Sequence, residues 1–178
     1  MTQVEPFKTM LAGGHPNSLG RTIEVVDMVL VDRSRLEQLY QCYFSEDEVV
    51  RLRTSNAMKR LWRQHPEWLV PYLDQFLSEI SQIRQPSTQW TLAQLFLELD
   101  TWLTQDQRVK AIAILKSNLV EYTDWIVINN TLQALSSWPK QDQDLKIWLK
   151  PHLIGFRYDE RKSVARTAVK IFEALFSK

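Results

Sequence analysis

One register of apolar residues recurs four times along this chain of 178 residues, and it limits the possible folds more than any other feature. Val50, Thr54, Ala57, Met58 and Leu61 fall at offsets 0, 4, 7, 8 and 11, which is one face of a 3.6-residue period. Thr88, Leu92, Leu95, Phe96 and Leu99 repeat those offsets. So do Val127, Thr131, Ala134, Leu135 and Trp138, and again Val164, Ala168, Ile171, Phe172 and Leu175. The anchors are 38, 39 and 37 residues apart. Near-constant spacing of this size marks stacked helical units, each too small to bury its apolar face alone.

The clearest copy lies in Glu46 to Trp62. Ser45 is placed to cap it, with Glu48 at the capping-box distance, and Glu46, Asp47 and Glu48 suit the positive end of the helix dipole. The predicted core is Val50, Ala57, Leu61, Leu92, Phe96, Leu135, Trp138, Ile171 and Phe172.

Punctuation sets the other elements. Ser18 opens a helix from about Leu19 to Val31 that turns Ile23, Val26 and Leu30 inward, and Ser34 opens one through Phe44. The Glu46 helix ends near His65-Pro66, since a residue before proline avoids the helical region. A single helix with Pro71 near its start covers Glu67 to Ile83. Ser87, Thr104, Asp124, Asp142 or Asp144, and Asp159 open the rest, and Pro151 kinks or shortens the helix that holds it. Residues 1–17 have two prolines, a Gly-Gly pair and no period, so a flexible arm is expected there, followed by a helical-repeat domain over 18–178. The chain has only 4 Gly, too few for a turn-rich β fold. The fold class expected is all-α, a solenoid of about four helix pairs. The β-branched run Ile126 to Asn129 lies inside a repeat copy and is assigned helix for that reason.

The residues offer little for catalysis. No glycine-rich phosphate loop, nucleophile elbow or His-Glu-x-x-His is present. One Cys and 3 His are too few soft ligands for a zinc site, so neither metal nor cofactor is expected. Cys42 reads as a small core residue. No apolar run is long enough to span a bilayer, and a cytoplasmic, reducing setting is expected. The formal net charge is +1. Its sign alternates in blocks: Arg51 to Arg63 holds five cations and no acid, whereas Gln64 to Asp106 holds six acids and Arg84. A nucleic-acid groove wants an unbroken positive stripe.

Asp47-x-x-Val50-Arg51, followed by Ala57-Met58 and Leu61, resembles the HEAT-repeat motif. SLGRTIEVVDMVL, RLEQLYQCYF and EDEVVRLR together resemble a group of bacterial HEAT-repeat proteins without a settled function. The resemblance covers residues 18–178 and implies a right-handed superhelix of helix pairs. In the later copies Gln89, Ile128 and Ala165 stand where Arg51 does, so an Asp-Arg ladder between repeats is not implied. The family lines its concave surface with this helix of each pair. That implies a groove built from offset 6 (Asn56, Gln94, Gln133, Lys170), offset 3 (Arg53, Thr91, Asn130, Thr167) and offset 2 (Leu52, Trp90, Asn129, Arg166). The partner-binding set expected is Arg53, Asn56, Trp90, Gln94, Asn130, Gln133 and Lys170, holding a protein or peptide on a non-enzymatic scaffold. The same residues also fit the solvated faces of amphipathic helices. The rival function is DNA binding or repair similar to the HEAT-like alkylpurine DNA glycosylases, with Trp90, Asp100 and the Arg51 to Arg63 cluster as its raw material. A third class is a chromophore-lyase-like protein, which needs a pigment partner.

Overall fold

A computed structural model describes residues 5–139 and 142–177, and among these every regular element is helical. The chain forms two compact units, Met1–Gln75 and Phe76–Lys178.

The first unit holds α1 (Phe7–Leu11), α2 (Thr22–Val31), α3 (Leu36–Gln41), α4 (Glu48–Gln64), α5 (Pro66–Leu69) and the start of α6 (Leu73–Ser78). The long helix α4 is its centre, packed by α1, α2, α3 and α5. Its N-cap is Asp47, whose carboxylate accepts from the Val49 amide at 2.8 Å. Ser45, expected in that role, sits two residues earlier and accepts from the Asp47 amide at 3.2 Å. Val50, Thr54, Ala57, Met58 and Leu61 are all buried. Val50, Met58 and Leu61 each contribute about 1.5–3 kcal/mol on leaving water. The helix stops at His65, before Pro66, as the chain reading requires.

Two local expectations are corrected here. The helix foreseen from Glu67 to Ile83 is broken into α5, a 3₁₀ turn at Val70–Tyr72, α6 and a second 3₁₀ turn at Ile80–Gln82. Pro71 lies beyond the first turn, where it lacks the N–H that a continuing helix needs. Helix α2 starts at Thr22 and buries Thr22, Val25, Val26 and Val29, leaving Ile23 40% exposed. Within the stretch expected as a flexible arm, Phe7–Leu11 form α1, whose Phe7, Met10 and Leu11 are at most 2% exposed. The Arg35 guanidinium lies 4.1 Å over the Phe7 ring. Three apolar side chains on one short turn suffice to dock it, although five residues are too few to show a period.

The second unit holds the rest of α6, then α7 (Pro86–Glu98), α8 (Gln105–Glu121), α9 (Trp125–Leu135), α10 (Gln143–Phe156) and α11 (Lys162–Phe176). Thr104 and Gln107 close a full capping box on α8, and Asp124 and Asp142 cap α9 and α10. Helix α7 begins at Pro86 with no side-chain cap, so Ser87 lies inside it. Asp159 accepts from the Arg161 amide at 2.9 Å and also binds the Arg161 guanidinium, one turn before α11. Helix α10 runs through Pro151. Pro151 and Ile147 are both exposed, so water can take the carbonyl that the proline leaves without a donor.

Helices α7, α9 and α11 lie side by side in that order, with α8 against α7 and α9, and α10 against α11. This row carries the second, third and fourth copies of the register. Of the predicted core only Phe172 is not buried; it packs beside Phe176 at 5.1 Å under the Arg157 guanidinium.

Candidate functional site

Hydrogen bonds join the neighbouring helices of the α7–α9–α11 row, pairing offset 6 of one copy with offset 3 of the next, and offset 2 with the residue just before the next anchor. Gln94 of α7 donates to the Asn130 side-chain oxygen of α9 at 2.9 Å. Asn129 of α9 donates to the Ser163 hydroxyl of α11 at 3.3 Å. Arg161 donates across the same step to the Thr123 carbonyl.

Further along the same face, Gln133 and Lys170 line one cleft of about 510 Å³. Leu97 of α7, Ser136 of α9 and Arg166, Thr167, Ile171, Ala174 and Leu175 of α11 complete it. Its volume falls within the roughly 300–1,000 Å³ of ligand sites. Arg166 and Lys170 are exposed and one helical turn apart on α11, and among the described residues neither has a hydrogen-bond or ion-pair partner. Among the described residues that line the cleft there is no carboxylate. Its chemistry is therefore two unneutralised cations beside an apolar floor, with amide and hydroxyl groups at the side.

The seven expected site residues divide. Gln94 is hydrogen-bonded to Asn130, and Gln133 and Lys170 line the same cleft. Trp90 is half-buried on α7 and does not line this cleft. Asn56 is half-buried in the first unit and accepts from the Arg60 guanidinium at 2.8 Å. Arg53 is no groove residue. It is 2% exposed, and its guanidinium donates to the carbonyls of Leu11 (2.7 Å), Ala12 (3.3 Å), Gly13 (2.6 Å), His15 (3.2 Å) and Ser18 (3.1 Å). Offset 3 points outward on a free helix, but here the segment preceding α2 closes over it. Gly20, at φ +51°, lets that segment pass: a Cβ there would stand 2.8 Å from the Arg53 guanidinium carbon.

Leu97, Ser136, Ala174 and Leu175 were outside the expected set. A readable signal existed for the first three, since one further turn along the stripe from Gln94, Gln133 and Lys170 reaches them.

The residues of the repair-enzyme alternative are engaged otherwise. Asp100 accepts from the Arg108 guanidinium at 2.9 Å and from the Trp138 indole at 2.7 Å. In the cationic cluster, Arg51 donates to the Ser45 carbonyl at 2.5 Å and Arg53 is buried as described. Among the described residues no three His, Cys, Asp or Glu side chains gather into a metal-binding group, and no helix is long and apolar enough to cross a membrane. Compared with protein-family models, curated proteins and solved structures, the chain matches none of them.

Proposed function

We propose that this protein is a non-enzymatic helical-repeat scaffold that holds a protein or peptide segment in the α9–α11 cleft, the segment carrying apolar side chains and carboxylates. The observation that supports this reading is the pairing of an apolar floor with Arg166 and Lys170, two cations that, among the described residues, have no partner and share the cleft with no acid. Cations in such a recess raise the local concentration of an acidic ligand. The apolar floor supplies the contact area that holds it. The HEAT-like reading, a right-handed stack of helix pairs, is proposed on the row α7, α9, α11, whose three members share one register. The internal bonds of Asp100 and Arg53 favour the scaffold over the repair enzyme.

Peptide selection by phage display on the wild type and on Arg166→Glu/Lys170→Glu tests this. Wild-type selection is expected to enrich peptides with acidic and aliphatic residues at helical spacing, and the double variant is expected to lose them. Enrichment of the same peptides by both proteins, or of none by the wild type, overturns the proposal. Duplex DNA is the control ligand, and fluorescence anisotropy at physiological salt is expected to show no saturable binding.

A further inference from the structure

A second apolar recess lies on the first unit, along α2, with the opposite charge. It measures about 490 Å³ and is lined by Glu24, Asp27, Met28, Val31, Asp32 and Arg35. Glu24, Asp27, Met28 and Val31 are spaced i, i+3, i+4 and i+7, so one stripe of α2 carries all four. Val31 is 89% exposed, an unusual condition for a β-branched aliphatic residue at the end of a helix. The charges are not equally free. Glu24 is bound by Arg21 at 2.7 and 2.8 Å, Asp32 accepts from Ser34, and Arg35 is engaged with Gln38 and the Phe7 ring. Asp27 is exposed and has no partner among the described residues.

The two surfaces match in chemistry and in spacing. Arg166 and Lys170 stand one turn apart on α11 beside Leu97 and Leu175. Glu24 and Asp27 stand one turn apart on α2 beside Met28 and Val31. An amphipathic helix laid in a groove is recognised through anchors at this spacing. We infer that a second copy of this chain is the occupant of the cleft. Its α2 presents Met28 and Val31 to the apolar floor, and its Asp27 faces Arg166 and Lys170. This inference rests on the reading of the cleft as a protein-binding site. The contact joins two different surfaces, so it is heterologous and repeats from copy to copy, giving open chains or a ring. One helix in one cleft is at the small end of interface sizes, so the association is weak and salt-sensitive.

Sedimentation velocity over a range of protein concentration and NaCl tests this, using the full chain, Asp27→Lys, Val31→Glu and Arg166→Glu/Lys170→Glu. All four changed positions are exposed, and circular dichroism confirms the fold of each variant. The wild-type mean mass is expected to rise with concentration and fall with salt. The charge reversals at Asp27 and at Arg166/Lys170, like Val31→Glu, are expected to weaken association by about tenfold or more. An equimolar mixture of Asp27→Lys with Arg166→Glu/Lys170→Glu restores association, because the unchanged α2 of the cleft variant meets the unchanged cleft of Asp27→Lys and the reversed α2 of one meets the reversed cleft of the other. A wild type that stays monomeric at about 1 mM overturns the inference, and so does a wild type whose association none of these variants weakens. A mixture no better than its components also overturns it. Peptides selected by the cleft of a chain that stays monomeric would refute self-association and leave the scaffold reading standing.

Discussion

A buried arginine without a carboxylate is the least expected residue of this protein. Arg53 is held by five hydrogen bonds, all to backbone carbonyls of residues 11–18. Leu11 is the last residue of α1 and the other four lie in the irregular segment that follows it, so the guanidinium supplies the donors that a continuing helix would otherwise provide. Its removal therefore leaves several acceptors unmatched, at about 1–3 kcal/mol for each that water does not reach. Arg53→Met is expected to lower stability by roughly 3 kcal/mol in urea unfolding, whereas Arg63→Ala, at an exposed position of the same helix, stays within about 0.5 kcal/mol. Equal midpoints for the two variants would mean that the carbonyls find other donors. Leu61, fully buried one turn before the end of α4, loses about 2–5 kcal/mol on change to Ala by the separate route of a cavity.

At the scale of elements, α1 shows how little sequence a docked helix needs. Phe7, Met10 and Leu11 occupy positions i, i+3 and i+4, and all three are buried against the first unit. Phe7→Ala is expected to cost about 3–5 kcal/mol, as for a large core aromatic, and to expose residues 7–16 to limited proteolysis. An unchanged midpoint and an unchanged digestion pattern would return that stretch to the status of a free arm. In the second unit the elements are joined by polar contacts that no period announces. Asn118 of α8 donates to Gln89 of α7 at 2.8 Å, and Gln89 in turn donates to the Ile83 carbonyl at 2.7 Å. Gln89 stands where Arg51 stands in the first copy, and both donate to backbone carbonyls just ahead of their own helices. The position keeps a donor in both copies while its charge changes.

At the scale of the whole molecule, the ionisable groups set an alkaline limit. Burial pushes the Cys42 thiol up to about 11, and burial with the Glu37 hydrogen bond pushes Tyr72 up to about 12. Burial also raises the Tyr43 phenol. Raised acids of this kind stabilise the folded state fully below their unfolded values, and that contribution is lost as pH rises toward the folded ones. Urea midpoints are therefore expected to be flat from about pH 7 to 9 and to fall between about 9 and 12, with Cys42→Ala flattening the first part of the fall. A midpoint that does not change up to pH 11 would contradict the burial of these groups. The sequence alone determined the helical class, the four-fold register and nearly all of its buried face. It also placed the helix break before Pro66, because period and proline chemistry are local. Of the nine residues that line the α9–α11 cleft, Gln133, Lys170, Arg166 and Thr167 stand at offsets 6, 6, 2 and 3 of the register. Tertiary structure alone decided the rest. Arg53 was turned inward because backbone carbonyls far along the chain closed over it, and Asp100 was taken by Arg108 and Trp138. Leu97 and Leu175 became a floor only once α7, α9 and α11 were side by side, because whether an apolar side chain lies inside a core or open to a cleft depends on which neighbours reach it.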